Sequence, residues 1–373
     1  MKRSRTLLAF LVCVLAIFGG CSRKQLYLMV APFGDRMSVN TLFDAGMTTD
    51  ILWGADWDAE IKYDWSTTNL GKLGYTKPEL ATGWFMSSAG TKASTGQRVL
   101  AFRKMFYTGG TTKVDMVINA SYDILFHTDL SSVKLTVPPD HSRFDLRALP
   151  DEEKGYEFED GGFPDMKQPG EIFSVFLEDI NLARDYPDVT PEIDGDELVY
   201  VYKLNAVLSP ITYIYVVQIV IVDDNGKSPD VDSISYITLD GLSAGRNMLF
   251  QKPSKERCDI TTEDISRLDI GKDSTLFVSR ILTFGLPYYT DDGNISWVIV
   301  DNATYRMGAQ IKMTDGSVRY LLADITGFMN KHPKGGVYTV FINKSELQKK
   351  DDGGGFVVDV EDWVEDVNIE ISI

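Results

Sequence analysis

The run Thr212–Val222 (TYIYVVQIVIV) constrains the fold of this chain more than any other stretch. In an extended strand successive side chains point to opposite faces. Tyr213, Tyr215, Val217, Ile219 and Ile221 therefore share one face, and Ile214, Val216, Gln218, Val220 and Val222 share the other. Both faces are largely apolar, so the strand must be covered on two sides. Such a strand belongs inside a layered β structure. Asp224-Asn225-Gly226 is expected to close it in a turn, with Asp232–Leu239 returning as the next strand.

Similar signals recur along the chain. In the first half they fall at Ala59–Trp65, Ala81–Met86, Arg98–Phe102, Lys113–Asn119, Tyr122–Phe126, Ser132–Val137 and Phe144–Leu149. In the second they fall at Leu198–Leu208, Ile211–Asp223, Val337–Asn343, Phe356–Val360 and Asn368–Ile373. Ile172–Leu182 reads equally as a strand or a short helix. Gln310–Tyr320 is the clearest hairpin, and its Asp315-Gly316 pair suits a two-residue type I′ turn. Helical periodicity is confined to Thr261–Leu268 and Thr326–Lys331. The final strand places Val367, Ile369, Ile371 and Ile373 on one face and is expected to close its own sandwich. The fold class expected is all-β, as two tandem antiparallel β-sandwiches.

Pro138–Asp196 differs from its surroundings: it is acidic, rich in Pro and Gly, and weakly periodic. Prolines and carboxylates cluster at Pro187–Asp196, which places the junction there. The expected division is a signal peptide at 1–20, a lipidated tether at 21–48, and an N-terminal sandwich at 49–190 that carries the acidic insertion. A C-terminal sandwich follows at 191–373.

The leader sets the expected location. Lys2, Arg3 and Arg5 precede twelve apolar residues, Leu7–Phe18, and Gly19-Gly20 precede Cys21. Basic, apolar and small residues in that order make a secretory signal, and the apolar run is too short to cross a bilayer, which wants about 20 residues. Small residues before a cysteine look like a bacterial lipobox. Cleavage before Cys21 and acylation of its thiol would tether the chain to a membrane by lipid. With Cys13 in the signal and Cys21 acylated, Cys258 is the one remaining cysteine, so no intramolecular disulfide can form. It is expected as a small buried residue.

Charge and residue types narrow the function. A formal net charge of −17 becomes about −20 once the signal leaves, which disfavours nucleic acid as a partner. His127, His141 and His332 lie in separate segments without metal or nucleophile–base spacing, and each is expected at the surface or in a loop. Asp56 and Asp58 beside Trp53 and Trp57, or Glu361 and Asp362 beside Trp363, offer carboxylates for glycoside chemistry. Solvated acidic loops explain them more simply. Asp223–Gly226 and Asp291–Asn294 have calcium-like composition without EF-hand spacing, and turn chemistry accounts for both. Trp53, Trp57, Trp65 and Trp84 read as packing residues first and a sugar platform second. The expectation is no catalytic site, no metal and no cofactor, with Cys21 the only site residue.

Several motifs carry a resemblance. Ser209-Pro210-Ile211-Thr212-Tyr213-Ile214-Tyr215 before a long apolar strand, Leu282-Thr283-Phe284-Gly285, and Gly353–Phe356 with Val360-Glu361-Asp362-Trp363 resemble fimbrillin-like lipoproteins of Bacteroidetes. Ile61–Trp65 and Ser121–Leu125 resemble the early strands of that family. The resemblance spans residues 56–373 and is strongest from 198 onward. It implies transthyretin-like Greek-key sandwiches, an outer-membrane lipid anchor facing the cell surface, and fimbrial subunits as partners by strand exchange. The function it implies is a fimbrium anchor or accessory subunit in pilus assembly and cell adhesion. The alternative reading is a surface lipoprotein that binds glycan or host protein.

Overall fold

The computed structural model describes residues 42–43, 46–49, 80–87, 99–107, 112–113, 121–152, 155–158, 162–181, 189–194, 197–202, 205–223, 225–289, 298–299 and 303–347. The first half supplies β1 (Leu42–Phe43), β2 (Gly46–Thr49), β3 (Leu80–Ser87), β4 (Val99–Tyr107), β5 (Thr112–Lys113) and β6 (Ser121–Thr128). Next come β7 (Val133–Thr136), β8 (Asp145–Ala148), β9 (Asp165–Met166), β10 (Phe173–Asn181), β11 (Val189–Asp194), β12 (Glu197–Tyr202) and β13 (Asn205–Pro210). The second half opens with β14 (Tyr213–Val222), β15 (Val231–Ser243), β16 (Gly245–Asn247), β17 (Lys252–Pro253), β18 (Arg257–Thr262), β19 (Ile265–Asp269) and β20 (Ser274–Thr283). It closes with β21 (Tyr288–Tyr289), β22 (Val298–Ile299), β23 (Arg306–Met313), β24 (Val318–Asp324), helix α1 (Thr326–Lys331) and β25 (Gly336–Asn343). The protein is all-β.

Two sheets carry the first half, in the orders β11-β12-β1-β5 and β2-β13-β10-β6-β3-β4. In the second half, β19-β20-β14-β25 packs on β24-β23-β15-β18-β9 as a sandwich. Its interior holds Tyr215, Val217, Ile219 and Ile221 from β14, Phe277 and Ile281 from β20, and Ile237, Leu239, Ile260, Met307, Ala309 and Ile311 from the facing sheet. As the period-two pattern requires, β14 is buried on both faces through Ile221. Helix α1 adds Phe328, whose ring lies 6.1 Å from that of Tyr215 and 5.2 Å from that of Tyr338.

Among the described residues pairing is mostly antiparallel, but four contacts are parallel: β1 with β12, β2 with β13, β9 with β18, and β14 with β25. β14 and β25 can run in the same direction because the long stretch of chain between them passes through the facing sheet and α1 before returning. A fifth sheet, β17-β16-β8-β7, joins the two halves of the sequence. Leu146 of β8 pairs opposite Arg246 of β16, and Asp165 of β9 opposite Asp259 of β18. Part of the acidic stretch is thus built into sheets of the second half.

Local readings fared unevenly. Within Ile172–Leu182, which reads equally as strand or helix, Phe173–Asn181 is a strand, β10. Thr261–Leu268 is not helical: it ends β18 and begins β19, because cross-strand partners on β15 and β20 outweigh a weak local period. Leu198–Leu208 forms two strands in different sheets. At the hairpin, Gly316 N–H bonds Met313 O and Met313 N–H bonds Ser317 O, each at 2.9 Å. Of Asp315 and Gly316 only the glycine has positive φ, +81°. A type I′ turn needs both positive, so the loop is Thr314–Gly316, a type I turn followed by a glycine bulge. The leader, Ala59–Trp65, Phe356–Val360 and Asn368–Ile373 lie outside the described residues.

Candidate functional site

The most elaborate polar arrangement lies where the acidic stretch crosses the outer face of the β24-β23-β15-β18-β9 sheet. Residues 155–158 and 162–165 form this strap. Tyr156 N–H donates to Thr238 Oγ1 on β15 at 2.9 Å. The Tyr156 ring rests on Gly308 of β23, where a Cβ would come within 2.5 Å of it. Phe163 N–H donates to Asp259 Oδ2 at 3.0 Å, and Asp259 N–H donates to Pro164 O at 3.0 Å. Small residues on the sheet and short polar ones beneath it let a strap without periodicity lie flat.

Two arginines stand under strap phenyl rings: Arg257 lies 4.2 Å from the Phe163 centroid and Arg306 lies 4.4 Å from that of Phe158. Each geometry suits a cation–π contact. Their charge answers Asp240, which is fully buried. Arg306 Nε donates to Asp240 Oδ2 at 2.8 Å, and Arg257 Nη2 stands 3.8 Å from Oδ1. Arg257 also donates to the carbonyls of Gly241 and Thr304. Asp240 is placed by a β-bulge, since pairing with β18 jumps from Leu239 to Leu242 and leaves Asp240 and Gly241 opposite Asp259. Gly241 has φ +80°, and a Cβ there would strike Arg257. Only glycine serves at that position.

Along the strap is a cavity of about 300 Å3, lined by Tyr156, Glu157, Phe158, Phe163 and Asp165 and, from β18, by Asp259. Asp259 is 3% exposed. Burial pushes its carboxyl up to about 7, helped by the negative charges of Asp240 and Asp165, while N–H donors from Phe163 and Gly241 pull the other way. The cleft therefore pairs aromatic faces with a carboxyl that changes charge near neutrality. Weak periodicity hid it from the sequence reading. The usable signals were Phe158 and Phe163 within an acidic run, and Asp240-Gly241 interrupting an apolar strand.

Cys21 lies outside the described residues, as do Trp53, Trp57, Trp65, Asp56, Asp58, Asp291–Asn294, Glu361 and Asp362. His127 corrects its expectation: it is 2% exposed on β6. Trp84 Nε1 donates to His127 Nε2 at 2.9 Å, so Nδ1 carries the proton and donates to Thr128 O at 2.6 Å. A histidine that satisfies both ring nitrogens can be buried in a strand, and sequence spacing does not reveal that. His141 is in a loop and His332 follows α1, stacked on Phe328 at 4.7 Å. Trp84 packs edge-on against Phe144 at 5.1 Å, a core role. Cys258 is buried, and burial pushes its thiol up. Asp223 accepts the Asn225 N–H at 2.8 Å and lies 3.6 Å from Lys344 Nζ, as a turn carboxylate does. Among the described residues, no helix is long and apolar enough to cross a membrane.

No protein-family model matches the sequence, and no curated protein matches it either. Among solved structures, the chain is similar to a candidate adhesin from Bacteroides ovatus at 12% identity and a TM-score of 0.46, covering 87% of this chain and 98% of that one. A candidate adhesin from Bacteroides thetaiotaomicron is similar at 9% identity and a TM-score of 0.41, covering 86% and 94%. The fimbrial anchor protein Mfa2 from Porphyromonas gingivalis is similar at 8% identity and a TM-score of 0.38, covering 82% and 90%.

Proposed function

We propose that this chain is a lipid-anchored cell-surface protein of the fimbrillin-like group, acting as a fimbrium anchor or accessory subunit rather than as an enzyme. One observation carries the strand-pairing part of this reading. β25 pairs along its length with β14, and among the described residues no strand lies on its other edge. Phe341 on that strand is 38% exposed. A long edge strand with an exposed aromatic is the surface that accepts a strand from another chain. The anchoring part rests on Cys21 and the leader before it, and the family on the motifs quoted above. A second reading, a surface lipoprotein that binds glycan or host protein, is favoured by the cavity at Tyr156, Phe158 and Phe163, where aromatic faces adjoin carboxylates.

Cys21→Ala tests the proposal in cells. The variant should leave the membrane fraction for the soluble one, lose label from a fatty-acid analogue, and release attached fibres into the medium. Label that persists in the variant, or fibres that stay attached, would overturn it.

A further inference from the structure

The strap covers part of the outer face of the β24-β23-β15-β18-β9 sheet, and the rows beside it carry a different chemistry. Register defines those rows. Thr238 stands opposite Gly308 and Gly308 opposite Leu322, and this row lies under Tyr156. In the next row Tyr236 stands opposite Gln310, and Gln310 opposite Tyr320. Partners in register share a face, as do residues two apart in a strand. Both tyrosines therefore flank the glutamine on the strap's side of the sheet. Their strands are two spacings apart, which separates them by about 10 Å. Gln310 Nε2 donates to Tyr320 Oη at 3.1 Å, which fixes the amide against that residue. The Tyr156 ring closes one side of the row, 5.9 Å from the Tyr320 ring and at 65° to it. The row beyond holds Lys312, whose Nζ lies 3.8 Å from Asp232 Oδ2. The three tyrosines and Gln310 are half-buried, and Lys312 and Asp232 are exposed.

We propose that this face binds a neutral oligosaccharide, with Tyr236 and Tyr320 as stacking rings, Tyr156 as a side wall, and Gln310, Lys312 and Asp232 as partners for hydroxyls. The proposal rests on the second reading above, that of a glycan-binding surface protein, and places the contact on the open face beside the cavity. A pyranose offers an apolar C–H face ringed by hydroxyls. The C–H face packs on an aromatic ring, and the hydroxyls need donors and acceptors held at its rim, which an amide, an ammonium and a carboxylate supply. Burial, and then Tyr320 and Tyr156 nearby, push the Tyr236 hydroxyl up to about 12, so it too stays a protonated donor. Rings about 10 Å apart stack successive sugars of a chain rather than one monosaccharide. Charge selects the class. A formal net charge of −17 repels acidic glycans, and Lys312 is already matched by Asp232. The rings stand on strands and on a seated strap, so binding orders little that is not already ordered.

Native gels cast with polysaccharide test the face on the full chain in mild detergent. The neutral probes are mannan, amylopectin and mixed-linkage β-glucan, and polygalacturonate is the acidic control. At least one neutral polymer should retard the wild type, and polygalacturonate should not. Tyr236→Ala and Tyr320→Ala should each weaken the retardation by about tenfold, whereas Tyr236→Phe, which keeps the ring, should retain most of it. Hydrogen exchange of the wild type covers the case of an alanine variant that does not fold. The retarding polymer should protect peptides covering 233–238, 308–313 and 318–322 and leave β25 unchanged. A wild type that no neutral polymer retards would overturn the proposal together with the glycan reading. Retardation that both alanine variants keep, or protection that falls outside those peptides, would overturn the proposal alone and leave the glycan reading standing. Retardation by polygalacturonate alone would likewise overturn the neutral class and keep the reading.

Discussion

β14 and the strap lie in the same sandwich and are held in different ways. β14 carries its environment in its own residues: alternate side chains on both faces are apolar, and both faces are buried. The strap has no such period. Its seat is specified by other parts of the chain, through Gly308 beneath Tyr156, Thr238 beneath its backbone, Asp259 at Phe163, and two arginines under its phenyl rings. A strand that brings its own burial can be read in isolation. A segment held by complementary partners becomes legible only once those partners are placed.

The largest expected effect tests how far the second half depends on what precedes it. The division at about residue 190 implies that 191–373 folds alone. Against this, Phe144, Leu146, Ala148, Met166 and Ile172 belong to the same core cluster as β14. Ile172 N–H also donates to Thr212 Oγ1 at 3.0 Å, and Glu171 pairs with Arg280. Burying each large apolar side chain contributes roughly 1.5–3 kcal/mol, and the sum rivals the whole net stability of a domain, about 5–15 kcal/mol. Trp84, Met86 and Leu125 belong to that cluster too, so a fragment of residues 80–373 should melt cooperatively, whereas 191–373 should aggregate or melt without cooperativity. Equal melting temperatures for the two fragments would remove the dependence and restore the simpler division.

Within the second half, Ile219→Ala should destabilise the protein by about 2–5 kcal/mol, since it empties a fully buried position on β14. Urea unfolding monitored by circular dichroism would measure it, and a loss below about 1 kcal/mol would mean that the two-sided burial contributes little. The strength of this prediction tracks what was legible. The strands at Ala81–Met86, Tyr122–Phe126, Ser132–Val137, Asp232–Leu239 and Val337–Asn343 follow from period two and from turn residues, both of which are local. The errors share one cause, because each was decided by a distant partner. His127 is buried because Trp84, 43 residues away, donates to it. Thr261–Leu268 is strand because β15 and β20 pair with it. The crossover of residues 133–166 onto β16 and β18 depends on sheet edges that no local pattern announces. The seat of the strap needed a bulge and two arginines from three separate segments.

The smallest effect sharpens the comparison most directly. Gly308 sits on β23 without positive φ, so alanine there suits the backbone and, taken alone, should stabilise a strand by about 0.5–1 kcal/mol. The added Cβ, however, would stand 2.5 Å from Tyr156 Cγ and 2.7 Å from Tyr156 Cβ. A rotamer change can swing Cγ away but leaves Cβ where the backbone puts it, so the strap itself must lift. Overpacking of this kind costs about 1–3 kcal/mol, and the net for Gly308→Ala should be a loss of about 1–2 kcal/mol. Strap peptides should exchange faster while β14 peptides stay unchanged. Placed in a Tyr156→Gly background, which removes both Cβ and Cγ, the same change should become neutral or mildly stabilising, because the clash is gone. A Gly308→Ala protein that melts higher than wild type and keeps a protected strap would show that Tyr156 does not depend on the glycine for its seat.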